Sequence, residues 1–131
     1  MSYLLDTQHL LWLFIEPEKI TKQRIKLLLD ENNKIYFSQV SLWEISIKYK
    51  LGKLKLGGGS PKDFYNVVEN TFLDCLHLEN NVLISSYQLP MIHKDPFDRL
   101  LIWQAIQNNL VFITSDSSIS GYKKYNLKLV S

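Results

Sequence analysis

Residues 95–116 read DPFDRLLIWQAIQNNLVFITSD and carry a strong secondary-structure signal in this 131-residue chain. Asp95 and Pro96 suit the N-cap and the first position of a helix. The apolar spacing that follows predicts a helix over residues 96–108. Residues 111–114 then predict a short buried strand, which Asp116 follows. A helix that leads directly into an apolar strand is typical of an α/β fold.

Strands and helices alternate along the rest of the chain as well. Predicted strands cover residues 3–5, 35–38, 74–78 and 127–130, and predicted helices cover residues 7–15, 21–31, 40–51, 61–72 and 81–89. This alternation favours a three-layer α/β/α sandwich with a mostly parallel sheet of about five strands. The composition, 46% hydrophobic and 21% charged, is that of a globular protein. We therefore expect a single domain over residues 1–131.

Cysteine content, hydropathy and charge exclude several classes of protein. The one cysteine, Cys75, cannot form a disulfide within the chain, so a reducing, cytoplasmic setting is expected. The first residues lack the basic segment of a signal peptide, and no stretch is long enough to span a bilayer. The formal net charge of +2 neither requires nor excludes a nucleic-acid partner.

Four acidic residues lie at the junction between a predicted strand and the following helix, or just inside that helix: Asp6, Glu44, Asp98 and Asp116. The carboxyl ends of parallel strands share one edge of a sheet, so these carboxylates are expected to converge there. With no Cys or His cluster beside them, they predict an all-oxygen site suited to Mg²⁺ or Mn²⁺. A divalent ion there would relieve the repulsion between the carboxylates, polarise a scissile phosphate and activate an attacking water. The pattern indicates metal-assisted phosphodiester hydrolysis.

Each of these acids also has a local structural explanation. Asp6 or Thr7 suits the N-cap of the first helix, Asp116 suits the N-cap of a short turn, and Ser41-x-x-Glu44 has the spacing of a capping box. Asp98 suits the third position of a helix, where a negative charge is favoured. Capping explains each residue alone, but it gives no reason for four carboxylates at one edge.

Several segments resemble, in order and spacing, the PIN-domain ribonucleases and in particular the VapC-type toxins of prokaryotic toxin–antitoxin pairs. They are residues 4–7 (LLDT), 41–45 (SLWEI), 93–101 (HKDPFDRLL) and 113–116 (ITSD), and residues 47–54 (IKYKLGKL) resemble the stretch after the acidic helix. The resemblance spans essentially the whole chain. It implies a Mg²⁺- or Mn²⁺-dependent endoribonuclease, a cognate antitoxin protein and a homodimer. Single-stranded loops of structured RNA, tRNA among them, are the expected substrate class.

The resemblance also implies roles for individual residues. The acidic quartet Asp6, Glu44, Asp98 and Asp116 matches the metal-holding catalytic acids of the family, with Glu44 ligating directly or through water. Thr114 and Ser115 match a supporting polar pair, where a hydroxyl could touch Asp6 or the attacking water.

Basic residues near the acids are candidates for contacting RNA phosphates, and they are Lys48, Lys50, Lys53 and Arg99. A solvated patch at a helix end is the alternative for the lysines, and pairing with Asp95 is the alternative for Arg99. His9 and His93 are weaker candidates for proton carriers or ligands.

Three functions stay open at this stage. The first is a toxin endoribonuclease, for which apolar residues on the first two helices would form a groove for an antitoxin helix: Trp12, Phe14, Ile25 and Leu29. The second is a PIN nuclease that processes RNA without an antitoxin. The third is a non-catalytic α/β signalling or binding module, although a receiver-type module expects an acidic pair after the first strand, where this chain has Asp6 alone.

Overall fold

A five-stranded sheet, parallel throughout, forms the centre of the protein in the computed structural model, which describes residues 1–130. The strands are β1 (Ser2–Leu5), β2 (Lys34–Ser38), β3 (Asp74–Leu76), β4 (Val111–Ile113) and β5 (Lys128–Leu129). Their order in the sheet is β3-β2-β1-β4-β5. The predicted α/β sandwich with a parallel sheet of about five strands is confirmed. Ser131, the last residue of the predicted domain, lies outside the described residues.

Helices cover both faces of the sheet. They are α1 (Thr7–Ile15), α2 (Lys22–Leu29), α3 (Gln39–Lys50), α4 (Pro61–Glu69), α5 (Asn80–Ser85) and α6 (Pro96–Gln107). Short 3₁₀ helices span Pro17–Lys19, Ser86–Gln88 and Ser117–Tyr125. Within the described part of the chain, no helix combines the length and the hydropathy needed to cross a membrane.

Some helices end earlier than their apolar pattern predicts, and side-chain hydroxyls bond to backbone carbonyls near these ends. The predicted helix 61–72 ends at Glu69, where the Thr71 hydroxyl donates to the Val68 carbonyl at 2.6 Å. The predicted helix 81–89 is α5 followed by a 3₁₀ turn, and the Ser85 hydroxyl donates to the Asn81 carbonyl at 2.6 Å. Such local bonds compete with the regular helix ladder.

Strand residues alternate between two hydrophobic cores. Leu5 and Ile113 pack with apolar residues of α1, α2 and α4, whereas Leu4 and Phe112 pack with α6 and the last 3₁₀ helix. All four side chains are completely buried. Since successive side chains of a strand point to opposite faces, a strand buried on both sides reads as a continuous apolar run. Burial of both faces is the main favourable contribution to folding.

The strand order reverses between β1 and β4. Along the chain, β2 and β3 extend the sheet on one side of β1, and β4 and β5 extend it on the other. Leu5 pairs in register with Ile113, and the Asp6 N–H donates to the Ile113 carbonyl at 3.0 Å. Asp6 and Thr114 therefore leave the sheet side by side. In parallel α/β sheets, the crevice outside the carboxyl ends at such a reversal is where ligands bind.

Candidate active site

An open cleft of about 350 Å³ lies at this reversal point, and the acids predicted from the sequence all line it. Its walls include Asp6, Glu44, Asp98 and Asp116, together with Asp95, Thr7, Thr114, Ser115, Lys48 and Lys53. The convergence expected from the parallel topology is thus present in the structure. The catalytic and metal-binding roles of these residues stay a prediction.

Asp6 follows β1, caps α1, and is held by a buried histidine. Its Oδ1 accepts the His9 backbone N–H at 2.7 Å and lies 2.9 Å from His9 Nδ1. Arg24 Nη1 lies 3.0 Å from His9 Nε2, and because arginine can only donate, Nε2 must accept and the ring proton must sit on Nδ1. His9, only 1% exposed, therefore donates to Asp6. Within residues 1–130, no hydrogen bond engages Asp6 Oδ2.

Glu44 is buried in the second turn of α3, and both of its carboxylate oxygens are engaged. The Thr7 hydroxyl donates to Oε1 at 2.6 Å, and the Lys48 ammonium group contacts Oε2 from one helical turn further along. The predicted capping box of Ser41 with Glu44 is wrong. Helix α3 begins directly after β2, so Ser38 is the N-cap and accepts the Val40 N–H at 3.0 Å.

His93 lies between the carboxylates of Asp98, the third residue of α6, and Asp116, which follows β4. Its Nε2 is 3.0 Å from Asp116 Oδ2 and 3.5 Å from Asp98 Oδ2. The Asp95 N–H donates to His93 Nδ1 at 3.1 Å, so the ring proton sits on Nε2. One ligand atom from each of His93, Asp98 and Asp116 falls within 4.8 Å of the others. In this arrangement the imidazole donates to Asp116 and lies near Asp98, and the carboxylate oxygens are the groups suited to a metal.

The pKa of Asp98 reflects its crowded surroundings. Burial raises the pKa from its ordinary 3.8 to about 6, and the negative charges of Asp95, Glu44 and Asp6 act in the same direction, against the opposing effect of His93. Carboxylates this close raise one another's pKa unless a cation is present. Hard oxygen ligands with unrelieved negative charge fit Mg²⁺ or Mn²⁺.

Asp116 shows the opposite change, because hydrogen bonds favour its charged form. The Ser118 hydroxyl donates to Oδ1 at 2.6 Å and the Ser118 N–H at 2.9 Å, and these bonds, the hydroxyl first, lower the pKa of Asp116 together with His93. The predicted capping role of Asp116 is confirmed, since these bonds open the last 3₁₀ helix. Thr114 supports the same residue, because its Oγ1 accepts the Asp116 N–H at 3.1 Å.

The four basic residues predicted as RNA contacts separate into two groups. Lys48 and Lys53 line the cleft, whereas Lys50 is exposed elsewhere on α3. The Arg99 guanidinium donates to the Leu89 carbonyl at 3.1 Å and the Pro90 carbonyl at 2.9 Å. The predicted pairing of Arg99 with Asp95 is therefore wrong, because Arg99 braces the segment that precedes α6.

Some of the residues that bond to the acids or orient them were not identified from the sequence. Thr7 follows Asp6 and donates to Glu44, and Ser118 lies two residues after Asp116 and donates to it, so a hydroxyl close in sequence to a predicted ligand was the available signal. Arg24 offered no signal, since it reaches His9 and, at 3.5 Å, Ser115 only through the packing of α2 beside α1.

Comparison with known proteins gives a family match and a set of similar structures. The sequence pattern of the PIN domain matches residues 3–125. No curated protein sequence matches this chain. Solved structures with a similar fold include the following three. VapBC2 from Rickettsia felis bound to a DNA fragment from its promoter has 20% identity, covers 99% of this chain and 98% of that chain, and has a TM-score of 0.71. VapBC-1 from nontypeable Haemophilus influenzae has 20% identity, covers 100% and 98%, and has a TM-score of 0.68. A toxin-antitoxin complex from Klebsiella pneumoniae has 18% identity, covers 99% and 97%, and has a TM-score of 0.60.

Proposed function

Because this chain belongs to the PIN domain family, as its motifs predicted, we propose that it is a metal-dependent endoribonuclease and the toxin of a toxin–antitoxin pair. The observation that carries the proposal is the cleft in which Asp6, Glu44, Asp98 and Asp116 meet at the reversal point of the sheet. The toxin assignment is supported by the similar fold of a toxin-antitoxin complex from Klebsiella pneumoniae.

The proposed metal is Mg²⁺ or Mn²⁺, held by Asp6, Asp98 and Asp116, with Glu44 acting through water. A divalent ion at this place would offset the charge of the carboxylates, polarise the scissile phosphate and make water a better nucleophile. The residues around the acids orient them. His9 fixes one oxygen of Asp6, and Ser118 fixes one oxygen of Asp116. Orientation of ligands by surrounding hydrogen bonds is a general requirement of metal sites.

RNA is the proposed substrate, and tRNA loops are the proposed class. Lys48 and Lys53 supply positive charge to the wall of the acidic cleft, where a phosphate would lie. An open cleft admits an unpaired strand whose phosphodiester is exposed, as in loops of structured RNA. Mapping the cut ends in cells that express the protein tests this class, and cuts within long duplexes would contradict it.

An antitoxin helix is the proposed partner of the surface formed by α1 and α2. Residues 11–16 are only half-buried, including Trp12 and Phe14, and Leu29 is 63% exposed. An amphipathic helix could cover such an apolar surface. Co-purification with a small protein encoded beside the gene, lost in Leu29→Glu and retained in Lys26→Glu on the same helix, would support this pairing.

We also propose a cytoplasmic homodimer. Apolar side chains of α5 and the following 3₁₀ turn are exposed, with Ile84 at 76% and Tyr87 at 80%, and a second copy could cover them. Light scattering tests the proposal: Ile84→Glu should be a monomer where the wild type is a dimer. A dimer that withstands Ile84→Glu would place the interface elsewhere.

The test of catalysis is cleavage of a total-RNA pool by purified, antitoxin-free protein with Mg²⁺, with Mn²⁺ and with EDTA. The wild type and Asp74→Asn, which changes an exposed acid outside the cleft, should cut only with metal, and Asp98→Asn should not cut. Cleavage that persists in EDTA or in Asp98→Asn would refute the acidic site. Cutting without arrest of growth on expression would favour an RNA-processing nuclease, and a folded wild type that cuts nothing would favour a binding module.

A further inference from the structure

Lys48 projects into the acidic cleft as a cation that belongs to the chain itself. We propose that its ammonium group takes the place of a second divalent ion, so that the cleft binds one metal ion and Lys48 faces the RNA phosphate. This inference rests on the proposed nuclease function and specifies which cations occupy its site.

The geometry of Glu44 is the first step of the argument. The Lys48 ammonium group contacts Oε2, and the Thr7 hydroxyl donates to Oε1 at 2.6 Å. The Glu44 side chain is 5% exposed, whereas that of Lys48 is 36% exposed. Both carboxylate oxygens of Glu44 therefore have partners within the protein. The partner of Oε2, the Lys48 ammonium group, is exposed to the open cleft.

The charge of Lys48 is the second step. A lysine side chain is protonated at neutral pH. The Lys48 ammonium group contacts the Glu44 carboxylate in a cleft that Asp95 and Asp98 also line. The ammonium group also lies 6.0 Å from the centre of the Phe97 ring, a distance at which a cation and an aromatic face attract. Lys48 is thus a permanent positive charge held among acids.

Competition between cations is the third step. In two-metal sites the two ions lie about 3.5–4 Å apart. A second ion on Glu44 would have to displace Lys48 from Oε2 and leave an ammonium group beside it, since both would share one cleft. At such a short distance the metal ion and the ammonium group would repel each other strongly, because water is partly excluded from the cleft. The remaining acids, Asp6, Asp98 and Asp116, are sufficient for one ion.

The experiment is a calorimetric titration of the antitoxin-free protein with Mn²⁺. Wild type should bind one ion per chain, and Lys48→Met, which keeps the length and removes the charge, should bind two. The double variant Lys48→Met/Glu44→Gln should return to one ion, because it removes the carboxylate that the second ion would use. Lys50→Met is the matched control, since it removes the same charge from the same helix outside the cleft, and it should bind one ion.

RNA cleavage is the second readout, at a Mn²⁺ concentration that fills only the first site. Lys48→Met should cut about 10²-fold more slowly, the usual effect of removing one group that stabilises transition-state charge. Lys62→Met, which removes an exposed charge outside the cleft, should cut at the wild-type rate. Wild-type cleavage itself tests the nuclease. A protein that binds one ion and cuts no RNA would refute the nuclease function and leave the one-ion stoichiometry standing.

Two results would overturn the inference about Lys48. One is two Mn²⁺ ions per wild-type chain, which tests the inference even if Lys48→Met fails to fold. The other is a Lys48→Met variant that unfolds at the wild-type temperature and still binds a single ion. A wild type that binds no Mn²⁺ would refute both the metal-dependent function and the role of Lys48.

Discussion

Replacing Asp98 by Asn should stabilise the metal-free protein while it abolishes metal-dependent cleavage. Burial, followed by the charges of Asp95 and Glu44, raises the pKa of Asp98 from 3.8 to about 6 in the folded chain. The folded state then binds the proton more tightly than the unfolded state. Stability therefore falls as the pH rises from about 4 to about 6, and it stays lower above that range. Asparagine has no charge to bury, so the variant escapes this penalty.

The size of the effect follows from the pKa change. A difference of about two pKa units corresponds to ~3 kcal/mol, at 1.36 kcal/mol per unit. The Asp98 side chain is 24% exposed, and water screens part of its interaction with the neighbouring acids. We therefore expect the free energy of unfolding of Asp98→Asn at pH 8 to exceed that of wild type by about 1–2 kcal/mol. At pH 4 the two proteins should differ little, because Asp98 is protonated in the folded wild type.

Urea unfolding in EDTA, followed by circular dichroism at pH 4 and pH 8, measures this difference. Asp74→Asn is the control, since it removes an exposed carboxylate outside the cleft. Adding Mn²⁺ at pH 8 should reverse the order, because only wild type retains the full set of ligands. An Asp98→Asn variant that is less stable than wild type in EDTA at pH 8, or equally stabilised at pH 4 and pH 8, would refute the electrostatic account of the cleft.

Three further predictions concern the metal and the core. Mn²⁺ at about 100 times its Kd should raise the free energy of unfolding of wild type by about 2.7 kcal/mol; an equal gain in Asp116→Asn, measured by thermal unfolding, would exclude Asp116 as a ligand. His9→Leu removes the N–H that orients Asp6 and should weaken Mn²⁺ binding about 10–100-fold in a calorimetric titration. His9→Asn, which restores a donor near the Nδ1 position, should recover part of the affinity, and unchanged binding in His9→Leu would refute the orienting role. Phe112→Ala empties a fully buried position under α6 and should cost about 3–5 kcal/mol in urea unfolding; a loss below about 1 kcal/mol would mean that the core closes over the cavity.

The fold was predictable because alternating strands and helices are typical of a parallel α/β sandwich. Apolar runs such as residues 111–113 identify strands buried on both faces, and the spacing in α6 identifies a helix. The ends of the elements were less predictable. They depend on individual side-chain bonds, such as that of Thr71 to the Val68 carbonyl, which periodicity does not encode.

The site was predictable at the level of its acids and not at the level of their partners. Parallel topology brings the carboxyl ends of strands together, so the sequence alone predicts that Asp6 and Asp116 meet. The spacing of Glu44 and Lys48, four residues apart on a helix, was also visible, but their pairing inside a cleft depends on how α3 packs. The bond from Arg24 to His9 depends on contact between two helices and leaves no trace in either segment.

The hydrogen-bond partners of the acids show how the cleft holds several carboxylates close together and which carboxylate depends most on a metal. His9 donates to Asp6, Thr7 and Lys48 meet Glu44, and Ser118 meets Asp116. Asp98 differs, because the closest donor to its carboxylate in the described part of the chain is His93 at 3.5 Å, and His93 lies nearer to Asp116. The acid with the weakest hydrogen-bonding support is also the one whose pKa is raised to about 6. The fold therefore leaves Asp98 as the carboxylate whose charge depends most on a bound cation, and competition between a proton and the metal should be strongest there.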